Sequence, residues 1–395
     1  DTRTKVTQIS NKADLNRYCQ EHSITPIFQG ANYYILKWVK ENEPDVFQSI
    51  NKVVHCKDWL NFKLTGNMAT DFSDTSTSML NTPAMTYDFE VLRYLGLEGL
   101  ELLFAPNRYS DEVTGHINEE AALKTGLKVG IPVVTGSIDV AGVAAGAGAV
   151  ESGDTIAIIG TTCCVTMVLQ KTQLDYADTR GSILCHQVRD RYLRLMAMSN
   201  GTASLDWVRK MVLPNASFAE IEQEISKIEP GSEGVIFQPY LYGERAPFRN
   251  PSACGAFMGI TARHTALHLV RASYEGLAMS LHGCYQALPD SDAAIYVAGG
   301  GAASNELCQI VSDCLGRKLQ RPAISELGLY GITRAIRKGI GKPEAVEAAI
   351  RADSFVPDAA RHQRYMELSN LFAGALNQMD AWWQERDRFL KVNTK

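Results

Sequence analysis

The sequence predicts an α/β protein large enough for two domains. Three observations carry this expectation. The chain has 395 residues, more than a single hydrophobic core usually organises. Short β-like apolar runs alternate with amphipathic helix-like stretches along it, and several of the runs end in Gly-rich turns that lead into helices. Its 45% hydrophobic and 21% charged residues are the proportions of an ordinary globular chain.

The N-terminal third reads mainly as helix. Residues 13–20 form a short helix. In 31–43 the apolar Tyr34, Ile35, Trp38 and Val39 share one helical face, and Pro44 is expected to stop it. Residues 53–64 read as a strand leading into a helix, with Thr65-Gly66-Asn67 as a turn. The hydroxyl-rich stretch TDFSDTSTSML at 70–80 suits a loop and a cap, with Asp58 and Asp74 in cap or turn roles. Helices follow near 90–95 and 118–125.

Further along, strands are expected at 131–134, 155–159, 165–169, 192–197, 235–239 and 294–297. The pair 165–169 and 192–197 is expected to be antiparallel. Helices are expected at 205–212, 218–228, 266–286, 306–315 and 359–389. Trp38 and Trp207 read as packing residues. No internal repeat or low-complexity tract interrupts the chain, and the Gly/Ala segment at 146–153 is the best candidate for a hinge.

Several function classes are disfavoured. A formal net charge of −5 without a long basic block leaves no nucleic-acid footprint. No apolar run approaches the ~20 residues of a membrane span, and no secretory signal pattern opens the chain. The nine Cys and eight His show no metal-ligand spacing. The cysteines read mostly as small core residues in a reducing, cytoplasmic protein.

Chemistry concentrates in IPVVTGSIDVAGVAAGAGAVESGDTIAIIGTT, residues 131–162. Asp139 stands between one strand and a Gly/Ala helix. A carboxylate there commonly caps the helix, but it also suits a base that deprotonates a hydroxyl. Each Gly costs a helix about 0.5–1 kcal/mol relative to Ala, so Gly142, Gly146 and Gly148 imply very close packing or a ligand near the backbone. Gly160-Thr161-Thr162 follows the next strand. With Ser199-Asn200-Gly201-Thr202-Ala203-Ser204 and Gly299–Asn305 it makes three Gly-containing turns, each after a β-like run. Backbone N–H groups at such turns can hold phosphate. Neither a Walker A pattern nor GxGxxG is present.

The segment GAFMGITARHTALHLVRASYEG, residues 255–276, resembles a signature of the FGGY family of carbohydrate kinases. Gly255, Phe257, Gly259 and Ile260 are followed, after seven residues, by His268, Leu269, Ala272, Ser273, Tyr274 and Glu275. A looser earlier match is Lys37-Trp38 with VKENEP. LTG with TDFSDTSTSML, GLKVGIPVVTGSIDVAGVAAGAG, IIGTT, YLYGERAPF with NP, and GGGAASNELCQIVSDCLG all fall in the family's order. The resemblance extends from Asp1 to about Phe372.

It implies two ribonuclease-H-like domains of the actin and hexokinase type, with an active-site cleft between them. A sugar-binding part would occupy 1–147 and a nucleotide-binding part 148–395, the terminal helix packing back on the first. The implied reaction is ATP-dependent phosphorylation of a sugar or polyol hydroxyl, such as a pentulose, with Mg2+. Asp139 matches the general base. Gly160, Thr161 and Thr162 match the phosphate turn. Thr202 matches an adenosine or ribose contact, with Asp206 a weaker match. Gly300, Gly301 and Asn305 match the adenine-side loop, while Phe28 and Gln29 match a sugar-facing segment. His268 and Glu275 define the signature without a catalytic role. A homodimer is a common family arrangement.

Family members open with a strand and an Asp-x-Gly-Thr turn, whereas this sequence opens near a later motif containing Asp1-Thr2-Arg3. The resemblance therefore implies a further segment ahead of it, carrying a phosphate turn and sugar contacts, without which the first domain would be incomplete and turnover weak. Two other readings stay open at this level. One is a non-catalytic relative that binds nucleotide or a partner. The other is an actin-like or chaperone-like ATPase, which leaves the 255–276 signature unexplained.

Overall fold

A computed structural model describes residues 11–26, 30–342 and 352–392. The chain divides into two compact units. The first comprises residues 1–152, 168–194 and 324–348, and the second 153–167, 195–323 and 349–395. This partition cuts across a simple division at 147/148. The 168–194 and 324–348 segments fall in the first unit, and the terminal helix Ala359–Val392 falls in the second. The first crossing, between Ser152 and Gly153, lies in the segment read as a hinge.

In the first unit, helices Lys12–Glu21 and Asn32–Asn42 close a core with Leu15, Cys19, Ile24, Tyr33, Leu36, Met79 and Leu92, all 3% exposed or less. Pro44 does not end a helix there. It opens a further one, Pro44–Gln48, because its fixed φ and missing N–H suit a first turn. The strand expected at the start of 53–64 shrinks to one bridge, Val53 to Phe104, before helix Cys56–Thr65. Gly66 ends that helix at φ +80°. Within 11–147 the described strands pair only in twos: Thr70–Asp71 with Asn107–Arg108, Leu80–Asn81 with Thr86–Tyr87, and Val113–His116 with Pro132–Val134.

The Gly/Ala helix Asp139–Ala147 lies against helix Leu327–Gly339. The close packing implied by its glycines is realised there. A Cβ on Gly146 would stand 1.9 Å from the Leu327 carbonyl oxygen, and one on Gly331 would stand 1.9 Å from the Gly142 carbonyl oxygen.

The second unit is built on a sheet. Six neighbouring strands run in the order Ala352–Phe355, Leu319–Pro322, Ile295–Ala298, Thr155–Ile159, Cys163–Leu169 and Tyr192–Ala197. Thr155–Ile159 is parallel to Ile295–Ala298 and antiparallel to Cys163–Leu169. A hairpin joined to parallel strands through helices is the ribonuclease-H-like arrangement. Helix Ala266–Gln286 is buried along most of its length. Within it Arg271 Nε meets Glu275 Oε1 at 2.9 Å, and Glu275 also accepts from Gly231 N (2.9 Å) and Ser232 Oγ (2.8 Å). Burial lowers the Arg271 pKa, but the charges of Glu275, Tyr365 and Glu306 outweigh it and hold the guanidinium protonated. The signature carboxylate Glu275 is thus an internal brace.

Candidate active site

The site residues fall into one group on each unit. On the first unit, Asp139 is the first residue of its helix and is exposed. The N-cap position belongs to Ile138, and Asp139 makes no capping bond. This corrects the reading of Asp139 as a cap. Its Oδ1 accepts instead from the adjacent Val140 N–H at 2.7 Å.

The chain leading into Asp139 is pinned residue by residue. Asn61 Nδ2 donates to the Thr135 carbonyl (2.9 Å). Thr135 N–H donates to the Glu112 carbonyl (2.9 Å), and Gly136 N–H, at φ +81°, donates to the Ser110 carbonyl (3.0 Å). Ser137 Oγ donates to Gln187 Oε1 (3.0 Å), whose Nε2 donates to the Gly331 carbonyl (2.8 Å). Ile138 N–H donates to Ser73 Oγ at 2.9 Å.

Ser73 belongs to a buried charge cluster that the hydroxyl-rich stretch conceals. The segment 70–80 is loop only at 76–79, and the expected cap is present. The strand Thr70–Asp71 is followed by the short helix Phe72–Thr75, which Asp71 caps. Asp71 Oδ2 accepts from Ser73 N (2.8 Å), Ser73 Oγ (2.5 Å) and Ser110 Oγ (3.1 Å). Lys57 Nζ reaches Asp58 Oδ1 at 2.5 Å, Asp71 Oδ1 at 2.9 Å and Asp74 Oδ2 at 3.0 Å. Asp58 also accepts the His55 N–H (3.0 Å), forming a capping box, so its cap role and its ion pair coexist.

The electrostatics follow from one cation among three carboxylates. Burial pulls the Lys57 pKa down, but attraction to Asp71, Asp74 and Asp58 outweighs it and keeps the ammonium charged. Burial pushes Asp58 up, and bonds from His55 and Lys57 bring it below the usual carboxylate range. Asp74 stays above that range, because burial exceeds the pull of Lys57 and His55.

On the second unit, the three Gly turns converge at one end of strand Thr155–Ile159. Thr202 N–H and Oγ1 both donate to the Gly160 carbonyl, at 2.8 and 3.0 Å. A Cβ on Gly201 would lie 2.5 Å from the Gly160 oxygen and 2.8 Å from that of Thr161. A Cβ on Gly301 would strike Ile159 Cγ2 at 2.5 Å and Thr202 Cγ2 at 2.7 Å, whereas one on Gly300 would meet nothing within 4 Å. Thr161, Thr162, Gly300 and Asn305 are exposed on this edge. Helices Thr202–Val212 and Asn305–Leu315 start beside the turns, with Ser304 Oγ capping the second through Leu307 N–H (3.0 Å). Asn305 also borders an open depression of about 390 Å³ with Glu306, Gln309, Arg321, Asp353 and Phe355.

Glu244, within YLYGERAPF, holds this edge from beneath. It is 2% exposed and accepts from Ser199 N (2.6 Å), Arg245 N (2.8 Å) and Asn200 Nδ2 (3.2 Å). Burial pushes its carboxyl above the ordinary glutamate value. Asp206, the weaker match, pairs with Arg209 and Lys210. Trp207 is 42% exposed, contrary to its reading as a packing residue. Phe28 and Gln29 lie outside the described residues, as does the Asp1-Thr2-Arg3 motif.

Sequence reasoning missed Lys57, Asp71, Ser73, Gln187 and Glu244. A Lys-Asp pair inside the half-apolar CKDWLNF helix was one available signal, since such charges seldom enter a core unpaired. Among the described residues no cluster of three or more His, Cys, Asp or Glu is arranged to hold a metal ion. No described helix is long and apolar enough to cross a membrane.

Residues 1–146 match the FGGY family of carbohydrate kinases, N-terminal domain, and 156–335 match its C-terminal domain. A probable L-xylulose kinase of Pasteurella multocida is 30% identical over 368 residues, covering 90% of this chain and 74% of that protein. The xylulose kinase of Escherichia coli is 30% identical over 363 residues, covering 87% and 72%. A ligand-bound xylulose kinase from Lactobacillus acidophilus has the same fold, with a TM-score of 0.86 at 21% identity over 96% of this chain and 78% of that one. With both domain matches in order along it, the chain is a carbohydrate kinase and belongs to the FGGY family.

Proposed function

We propose that the chain transfers the γ-phosphoryl group of ATP to a hydroxyl of a pentulose of the xylulose type, with Asp139 as general base. The observation that carries the reading is the contrast between Asp139 and its approach. The carboxylate is exposed, while the backbone before it is pinned to buried groups at Thr135, Gly136, Ser137 and Ile138. A fixed main chain presenting an accessible carboxylate is what deprotonation of a sugar hydroxyl requires. The pentulose comes from the relatives named xylulose and L-xylulose kinases.

On the nucleotide side, N–H groups of Thr161 and Thr162 would meet phosphate oxygens, while Thr202 would face the adenosine or ribose and the Gly300–Asn305 loop the adenine. The Thr161 and Thr162 hydroxyls would add donors, and the space over Gly300 would let a ligand approach the backbone. Mg2+, when bound, would supply positive charge to offset that of the phosphates. Such an ion usually keeps several waters and few protein ligands, so phosphates and water would supply most of its coordination. Six of the nine cysteines are buried, as small core residues are.

The test is a coupled ADP-release assay across ketoses, aldonates and polyols, with Asp139→Asn alongside. Xylulose should give the highest kcat/KM, and Asp139→Asn should lower turnover by about 10²–10⁴-fold. Undiminished turnover by Asp139→Asn would remove Asp139 from its role.

A further inference from the structure

We infer that Ser73, backed by Asp71 and Lys57, is a positioning residue for the base: it fixes the backbone immediately before Asp139. The inference rests on the assignment of Asp139 proposed above. A hydroxyl has one proton to donate. Ser73 Oγ gives it to Asp71 Oδ2 at 2.5 Å, and its remaining acceptor capacity takes the Ile138 N–H at 2.9 Å. Asp71, being acceptor-only, sets that polarity, and its other oxygen is held by Lys57 at 2.9 Å. The sequence of contacts thus runs Lys57, Asp71, Ser73, Ile138 N–H, and ends one peptide from Asp139.

Burial makes the arrangement decisive. Ser73 and Asp71 are both 0% exposed, so water does not readily replace a lost partner. Gln187 holds the neighbouring Ser137 from another direction, at 3.0 Å, so the two residues before Asp139 are braced separately. Neither Lys57 nor Asp71 is exposed enough to serve as an ordinary surface ion pair. Their place beside the helix entry gives them a use that stability alone does not require.

Ser73→Ala removes one oxygen and leaves the Ile138 N–H without its acceptor. The experiment measures kcat and KM for xylulose and ATP, with melting temperature, in Ser73→Ala, Asp139→Asn and the double variant of the full-length protein. A misplaced base should lower kcat by roughly tenfold or more, with both KM values held within about twofold. The melting temperature should stay within about 4 °C. In the Asp139→Asn background the same change should cost nothing further, because the group being positioned is gone. An unchanged kcat in Ser73→Ala, a loss seen mainly in KM, or an equal loss in both backgrounds would overturn the positioning role while leaving Asp139 as base. Full activity in Asp139→Asn would overturn the base assignment, and the positioning role with it.

Discussion

Gly146 lies flush against the carbonyl of Leu327, where a Cβ would come within 1.9 Å of the oxygen. Alanine would raise intrinsic helix propensity by about 1 kcal/mol. That gain is smaller than the cost of forcing two backbones apart, and Gly331 meets the Gly142 carbonyl equally closely on the other side. Gly146→Ala is therefore expected to destabilise the protein by about 2–4 kcal/mol. Gly374 provides the opposite case. It is exposed in helix Ala359–Val392, and a Cβ added there would meet nothing within 4 Å, so Gly374→Ala should stabilise by up to about 1 kcal/mol. Denaturant midpoints of the two variants should move in opposite directions.

Lys57 is the counter-charge for three carboxylates, with a side chain 23% exposed. Lys57→Met preserves most of the volume and leaves Asp58, Asp71 and Asp74 facing one another. Breaking a buried pair by removing one partner typically costs about 3–5 kcal/mol. Asp74 already sits above the usual carboxylate range, so it is the member most readily neutralised. Adding Asp74→Asn to Lys57→Met should recover part of the loss. Urea titrations of the single and double variants check this, and equal midpoints would refute the repulsion account.

These two regions show where the sequence was legible. The Gly/Ala helix and its close packing were readable because Gly at helical spacing demands a neighbour. The neighbour, Leu327–Gly339, was not read: Gly328 and Gly331 weaken its helical signal, and its partner lies far away in sequence. The Gly turns at 160, 201 and 299 were visible because each follows a β-like run, the first closing a hairpin and the other two leading into helices, and sheet order brings them together at one edge. The cluster at 70–80 stayed hidden because Ser, Thr and Asp in series look solvated until Lys57 closes on them. Asp139 was legible as a carboxylate at a helix start. Its approach was not, since Ser73 and Gln187 are chosen by the fold.

Gly201 tests the nucleotide edge. An alanine Cβ would stand 2.5 Å from the Gly160 carbonyl oxygen and 2.8 Å from that of Thr161. The turn must then shift, and the bonds from Thr202 to Gly160 shift with it. Gly201→Ala should raise the KM for ATP by about tenfold, equivalent to about 1.4 kcal/mol of lost binding, with a smaller change in the KM for sugar. Initial-rate kinetics with each substrate varied in turn separates the two, and an equal effect on both would argue against a nucleotide role for the turn.

His186 contributes to the loss of stability in acid. It follows the strand Ser182–Cys185, is 5% exposed, and accepts the Val188 N–H at Nδ1 (2.8 Å). Burial pushes its pKa down from 6.5 to about 3. The folded state therefore holds the imidazole neutral while the unfolded chain protonates it near pH 6.5. The stability is fully present above that pH and drains away as pH falls toward 3, because only the unfolded state gains the proton. A depression of this size in a buried group corresponds to a loss on the order of 4 kcal/mol across that window. His186→Phe removes the titration, so its denaturant midpoint should fall less than wild type's between pH 6.5 and 4, despite a lower value at pH 8 from the lost Val188 bond. Gln187, the next residue, braces Ser137. Acid opening at His186 should therefore weaken the approach to Asp139, and reversible loss of kinase activity should accompany the unfolding signal in wild type and diminish in His186→Phe.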